Sequence, residues 1–130
     1  MSNQPSYAYP GFTAVTPYLY ARPELIDFLK QAFGAEVTHD PQPDPQGHFH
    51  AEAKIGGAYV LLGNGHFADP SMSGAIYLYV PNVDATYRRA LNLGAKAVRE
   101  PADQPWGDRV AGVKDASGNT WWIASNRAAK

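Results

Sequence analysis

The sequence predicts an α+β fold of two βαβββ modules whose sheets pair around a common cleft. Three observations predict it. Strand-like and helix-like patterns run in the order β-α-β-β-β twice along the 130 residues. The phrase Phe33-Gly34-Ala35-Glu36-Val37 returns sixty residues later as Leu93-Gly94-Ala95-Lys96-Ala97. The stretch Trp106–Asn126 reads as two strands around a tight turn, the natural close of the second set. One such module is too small to bury its own helix and sheet well, so two are expected to share a core.

Residues 1–11 are polar with Pro and Gly, and are expected to form a flexible arm or an extended lead-in. The first module is expected over 12–65. Phe12–Tyr20 reads as a strand, weakened by Pro17. Pro23 suits a first helical turn, and Leu25, Phe28, Leu29 and Ala32 recur at helical spacing until Gly34. Ala35–His39 is a short strand, and residues 40–47, with three prolines, are a loop. His48–Ile55 alternates strictly, with His48, His50, Glu52 and Lys54 on one face. Gly56-Gly57 turns the chain into a strand over Ala58–Leu62.

A linker is expected over 66–73, the second module over 74–126 and a tail over 127–130. Gly74–Val80 is a strand. Asn82 suits a helix N-cap, and Val83, Tyr87, Ala90 and Leu91 mark the apolar face that follows. Gly94 stops that helix, and residues 100–107 are read as a Pro-containing loop. Asp108–Lys114 is a strand, Asp115–Asn119 a turn with Gly118 free to take positive φ, and Thr120–Ile123 a strand. An adjacent Trp121-Trp122 pair puts one indole on each face of the sheet.

Composition narrows the function classes. A net charge of −1 and a pI near 6.4 give no footprint for nucleic acid or an anionic membrane. No apolar run is long enough to span a bilayer. The chain has no cysteine, so thiol chemistry and a disulfide scaffold are out, and a cytoplasmic location is expected. The N-terminal residues lack a signal-peptide pattern. Glycine pairs lie between strands, away from helix N-termini, so they are turns and not phosphate loops. Eight Tyr, five Phe and three Trp are the compositional excess, placed in the core, in a ligand site or in both.

The phrases Thr16-Pro17-Tyr18-Leu19, Ile26-Asp27-Phe28-Leu29 leading to Ala32-Phe33-Gly34-Ala35, His50–Gly56, and Trp106-Gly107-Asp108-Arg109 with Asp115–Trp121 resemble the vicinal oxygen chelate superfamily. That superfamily includes glyoxalase I, bleomycin-resistance proteins, fosfomycin-resistance enzymes and extradiol dioxygenases. The resemblance covers residues 12–126. It implies paired βαβββ modules with mixed sheets curling around a cleft, and a homodimer. In metal-using relatives, a His or Glu comes from the first and last strands of each module. Carried over by the helix-stopping glycines, those positions fall near Thr16, Leu61, Ala75 and Trp122. None is a His, Asp, Glu or Cys, and a shift of one residue brings none. A divalent ion needs several such donors converging on one point. No metal or other cofactor is therefore expected.

Alternation then suggests what lines the cleft. With Thr16 come Tyr18 and Tyr20; with Leu61 comes Tyr59; with Ala75 come Tyr77 and Tyr79; and Trp122 faces the cleft while Trp121 packs under the second helix. An aromatic cleft suits a planar or cationic small molecule; the other reading of these tyrosines is a two-sheet core or a dimer interface. His50 and Glu52 are candidates to hydrogen-bond a ligand or exchange protons with it. Trp106 is a candidate lid or core for the neighbouring module, expected to be covered because a Trp is expensive to leave in water. Arg109 is either a rim guanidinium for an anion or a local salt bridge.

The first function expected is a metal-independent small-molecule-binding protein of the bleomycin-resistance type, with Tyr18, His50, Glu52, Tyr59, Tyr77, Tyr79, Trp106, Arg109 and Trp122 at its ligand. The alternative is a glyoxalase-like lyase or isomerase, using a relocated metal on His48, His50 and Glu52 or acid–base work by His50 and Glu52. A third is an interaction module with a filled cleft.

Overall fold

The computed structural model describes residues 5–37, 43–65 and 67–128. Ten elements follow one another: β1 (Tyr18–Tyr20), α1 (Leu25–Phe33), β2 (Glu36–Val37), β3 (His50–Ile55), β4 (Ala58–Gly63), β5 (Ala75–Tyr79), α2 (Val83–Asn92), β6 (Lys96–Asp103), β7 (Asp108–Lys114) and β8 (Thr120–Asn126). They form two four-stranded mixed sheets, ordered β1-β4-β3-β2 and β5-β8-β7-β6. In each, the first strand lies parallel to the last and the other pairs are antiparallel. This is the expected α+β pair of βαβββ modules.

Helix boundaries follow the sequence signals. Gly34 caps α1 at φ 69°, and its N–H and that of Ala35 close the last turn on the Lys30 and Leu29 carbonyls. Asn82 caps α2, its side chain accepting from the Ala85 N–H at 3.0 Å. Each helix buries one stripe: Leu25, Ile26, Leu29 and Ala32 in α1, and Val83, Thr86, Tyr87 and Ala90 in α2.

Strand boundaries differ from expectation at three places. Phe12–Pro17 is not strand; β1 begins at Tyr18, because Pro17 has no N–H to offer a ladder. The last part of the Ala35–His39 strand lies outside the described residues, which show β2 only at Glu36–Val37. Residues 100–103, expected as loop, belong to β6. Pro101 is accommodated there because β6 is an edge strand, and its pairing with β7 shifts register between Arg99 and Ala102.

The sheets are amphipathic by alternation. Ala51, Ala53, Ile55, Leu62 and Leu19 are buried on the inner face of the first; Val113, Ala111, Trp121 and Ile123 are buried on the inner face of the second. These residues and the helix stripes form one continuous core. Phe33 of α1 lies 5.0 Å, ring centre to ring centre, from Trp121 of β8, so each module completes the other's interior.

The turn 115–119 clasps the modules. Asn119, fully buried, donates to the Tyr20 carbonyl at 2.8 Å and accepts from the Gly74 N–H at 2.9 Å. The Ser117 hydroxyl oxygen accepts from the Arg22 N–H. Asp115 accepts from the Ser117 and Asn119 N–H groups and, through its other oxygen, from the Trp121 indole N–H at 2.8 Å. Burial outweighs these donors and raises the Asp115 pKa above its ordinary value.

Candidate functional site

The helices pack on one side of the sheets, and the candidate residues stand on the other, where the segment before β1 lies over part of the first sheet. On the first sheet, Tyr18, Leu61 and Glu52 stand in one row across β1, β4 and β3. The Tyr18 hydroxyl lies 3.0 Å from His50 Nδ1. Burial raises the Tyr18 pKa, so its hydroxyl stays neutral. Thr16, His50, Glu52 and Leu61 floor a cavity of about 530 Å³. The rest of its wall is Tyr7, Ala8, Tyr9, Phe12, Thr13 and Ala14, from the segment before β1. Among the described residues, no three His, Cys, Asp or Glu side chains converge as a metal site.

On the second sheet the rows are better filled. Tyr77, Trp122, Gly112 and Arg99 lie side by side across β5, β8, β7 and β6. The absence of a side chain at Gly112 lets the indole lie flat over β7; a Cβ there would come within 2.5 Å of the Trp122 ring. The Arg99 guanidinium stacks over the same ring at 5.6 Å. The next row is Tyr79, Ala124, Val110 and Ala102. Ala124 is small and buried, and leaves a passage across which both tyrosines reach Asp108.

Asp108 is the best-connected polar group on that face. Its Oδ2 accepts from the Tyr77 hydroxyl at 2.7 Å and the Tyr79 hydroxyl at 2.9 Å, and its Oδ1 from Asn126 Nδ2 at 2.8 Å. Tyr77 first, then Asn126, hold its carboxyl below the usual carboxylate range. Burial and the Asp108 bond raise the Tyr77 pKa; the Asp108 bond, then burial, raise that of Tyr79. Both phenols therefore remain protonated and point their hydrogens at Asp108. Their oxygens keep lone pairs for a ligand N–H. Sequence reading weighed only Arg109 of this dipeptide and gave Asp108 no role. The signal was alternation, which puts the two on opposite faces.

The nine expected ligand residues do not meet in one place. Tyr18, His50 and Glu52 gather on the first sheet, and Tyr77, Trp106 and Trp122 on the second, around a pocket of about 220 Å³. Tyr59, Tyr77 and Tyr79 share a third space of about 260 Å³ between the modules, with Ile55 and Ile76. Arg109 faces the helix side, where Asp84 binds it at 2.9 and 3.1 Å and Asp103 at 3.1 Å. These ion pairs tie β7 to α2 and β6. Trp106 was expected to be covered and is 63% exposed, while it lines the small pocket beside Tyr77 and Trp122.

The four positions that the resemblance linked to metal are on the same faces. Thr16 and Leu61 line the larger cavity, and Ala75 and Trp122 lie on the second sheet. Aliphatic, hydroxyl and indole groups do not make a donor set for a divalent ion.

Comparison with known proteins agrees with this architecture. The family model described as the glyoxalase/bleomycin resistance protein/dioxygenase superfamily matches residues 23–123. An uncharacterised protein of Mycobacterium bovis is 37% identical over 122 residues, covering 83% of this chain and 80% of its own. Its counterpart in Mycobacterium tuberculosis is 37% identical over 122 residues, 83% of this chain and 71% of its own. Among solved structures, TioX from Micromonospora sp. ML1 aligns with a TM-score of 0.70 at 25% identity, over 86% of this chain and 97% of that one. The fosfomycin resistance protein FosX from Listeria monocytogenes aligns with a TM-score of 0.63 at 15% identity, over 86% and 91%; this likeness is one of fold alone.

Proposed function

Because the chain belongs to the glyoxalase/bleomycin resistance protein/dioxygenase superfamily, we propose that it is a metal-independent small-molecule-binding protein that holds an aromatic or cationic ligand. The observation that carries this reading is the second sheet's free face. Trp122 occupies a position expected to hold a metal ligand; Tyr77 and Trp106 line a pocket with it, and Tyr79 shares Asp108 with Tyr77. Indole and phenol faces attract planar and cationic groups. Phenol oxygens fixed by Asp108 accept hydrogen bonds from such a ligand. A homodimer and a cytoplasmic, cysteine-free setting belong to the same proposal. Calorimetric titration with Zn²⁺, Ni²⁺, Mn²⁺ and Fe²⁺ tests the metal independence. No stoichiometric uptake is expected; tight uptake of one ion with a gain of activity would overturn the proposal.

One observation favours a second reading, a glyoxalase-like lyase or isomerase. His50, whose Nδ1 meets the Tyr18 hydroxyl, and Glu52 share the largest of the three cavities described above. A His beside a carboxylate is a competent acid–base pair. Replacing both by Ala discriminates, since full retention of a measured turnover excludes them as its catalysts.

A further inference from the structure

On the aromatic face of the second sheet, the row before Tyr77–Trp122–Gly112–Arg99 is Ala75, Thr120, Lys114 and Lys96. It sets two lysines directly opposite each other, their Cβ atoms about 5 Å apart. Both are exposed. Like charges at such a position destabilise a sheet. An edge strand takes lysine as a guard against pairing with another chain, which accounts for Lys96 on β6. It does not account for Lys114, which lies on β7 inside the sheet.

A third cation joins them. Lys96 and Arg99 stand three positions apart on β6, so strict alternation would turn them to opposite faces. The register of β6 on β7 shifts between Ala97 and Arg99, and the Arg99 guanidinium lies over the Trp122 ring, on the face that holds the lysines. Among the described residues, no ion pair involves Lys96, Arg99 or Lys114, the neighbouring Glu100 included. Asp108 is on the same face but opens β7, which Lys114 closes, and its oxygens are taken by Tyr77, Tyr79 and Asn126. The face is therefore polarised, with a satisfied carboxylate at one end and three unanswered cations at the other. Positions two apart on a strand are about 7 Å apart, so the lysine row stands one ring's length from the Trp122 row.

We propose that Lys96, Lys114 and Arg99 form an anion subsite, which takes the carboxylate or phosphate of a small ligand whose ring lies at Trp122 and Trp106. An anion there relieves the repulsion between the lysines, and the planar guanidinium fork suits its paired oxygens. This deepens the function proposed above and rests on it. It gives the ligand a negative group at a set distance from its ring, which the aromatic pocket alone does not demand.

The test follows amide and side-chain NMR shifts of the full chain with phenyl phosphate, phenylacetate and the uncharged benzyl alcohol. Both anions should give saturable shifts on Lys96, Arg99, Lys114 and the Trp122 indole, phenyl phosphate at the lower concentration because it carries more charge. Phenylacetate as the tighter of the two would support the subsite as one for a carboxylate. Benzyl alcohol should give weaker shifts, on the indoles only. Lys96→Gln combined with Lys114→Gln, two exposed changes, should weaken both anions about threefold to tenfold and leave the alcohol unchanged. Benzyl alcohol bound as tightly as the anions, anion shifts spread without saturation over other exposed cations, or anion affinity unchanged in the double variant would overturn the subsite. In each case saturable shifts on Trp106 and Trp122 would leave the general ligand-binding reading standing. Shifts from no probe on either the cations or the indoles would sink both.

Discussion

Asp108 shows how one side chain organises a surface. It is 2% exposed and accepts from two tyrosines and an asparagine, so its ionised form is built into the folded state. Its folded pKa is depressed. The stabilisation is therefore full above the ordinary carboxylate value and is lost as pH falls through the lower folded value. In acid titrations of thermal stability, Asp108→Asn should flatten the acid limb and lower the midpoint at pH 7. An acid limb identical to that of the unaltered chain would show that Asp108 does not carry it. Trp106 teaches the opposite lesson at this scale. Hydrophobic cost predicts that a Trp is covered, but Trp106 stands at the rim of a pocket with most of its surface in water.

At the scale of elements, strand alternation carried most of the information. His50 to Ile55 and Ala75 to Tyr79 show the expected faces, and the Trp121-Trp122 pair divides between core and free surface. Periodicity of two is local, so one sequence suffices to read it. The row Tyr77–Trp122–Gly112–Arg99 was not legible, because it depends on which strands pair and in what register. Nor was β6 through Pro101 legible, since proline argues against strand until its edge position and register shift are known. Gly112 makes the row testable. Gly112→Ala should lift the Trp122 indole off β7 and away from Arg99, shifting the intrinsic fluorescence while the circular dichroism holds. An unchanged Trp122 environment would contradict the packing described.

At the scale of the whole molecule, the repeat phrase and helix stops made the two modules legible, but not how they are joined. The joint is made by the buried Asn119 amide, the Phe33–Trp121 contact and the hydrogen bond from Arg89 Nε to the Ala32 carbonyl. Asn119→Ala leaves the Gly74 N–H and the Tyr20 carbonyl without this partner. The cost should be about 2–3 kcal/mol in urea unfolding, since each buried group loses its bond. A change under about 0.5 kcal/mol would mean that water replaces the amide and that the joint lies elsewhere. The same scale explains why the nine candidate residues occupy three spaces. Alternation assigns each side chain to a face, but the placement of the two sheets and of residues 7–16 decides which faces meet.

Fluorescence titration of EDTA-treated protein with the planar cation 9-aminoacridine tests the metal-independent binding of an aromatic or cationic ligand most directly. The account predicts saturable quenching without added metal, and affinity about tenfold weaker in a Trp106→Ala, Trp122→Ala double variant. No saturable quenching, or quenching that appears only after Zn²⁺, Ni²⁺, Mn²⁺ or Fe²⁺ is restored, would contradict it.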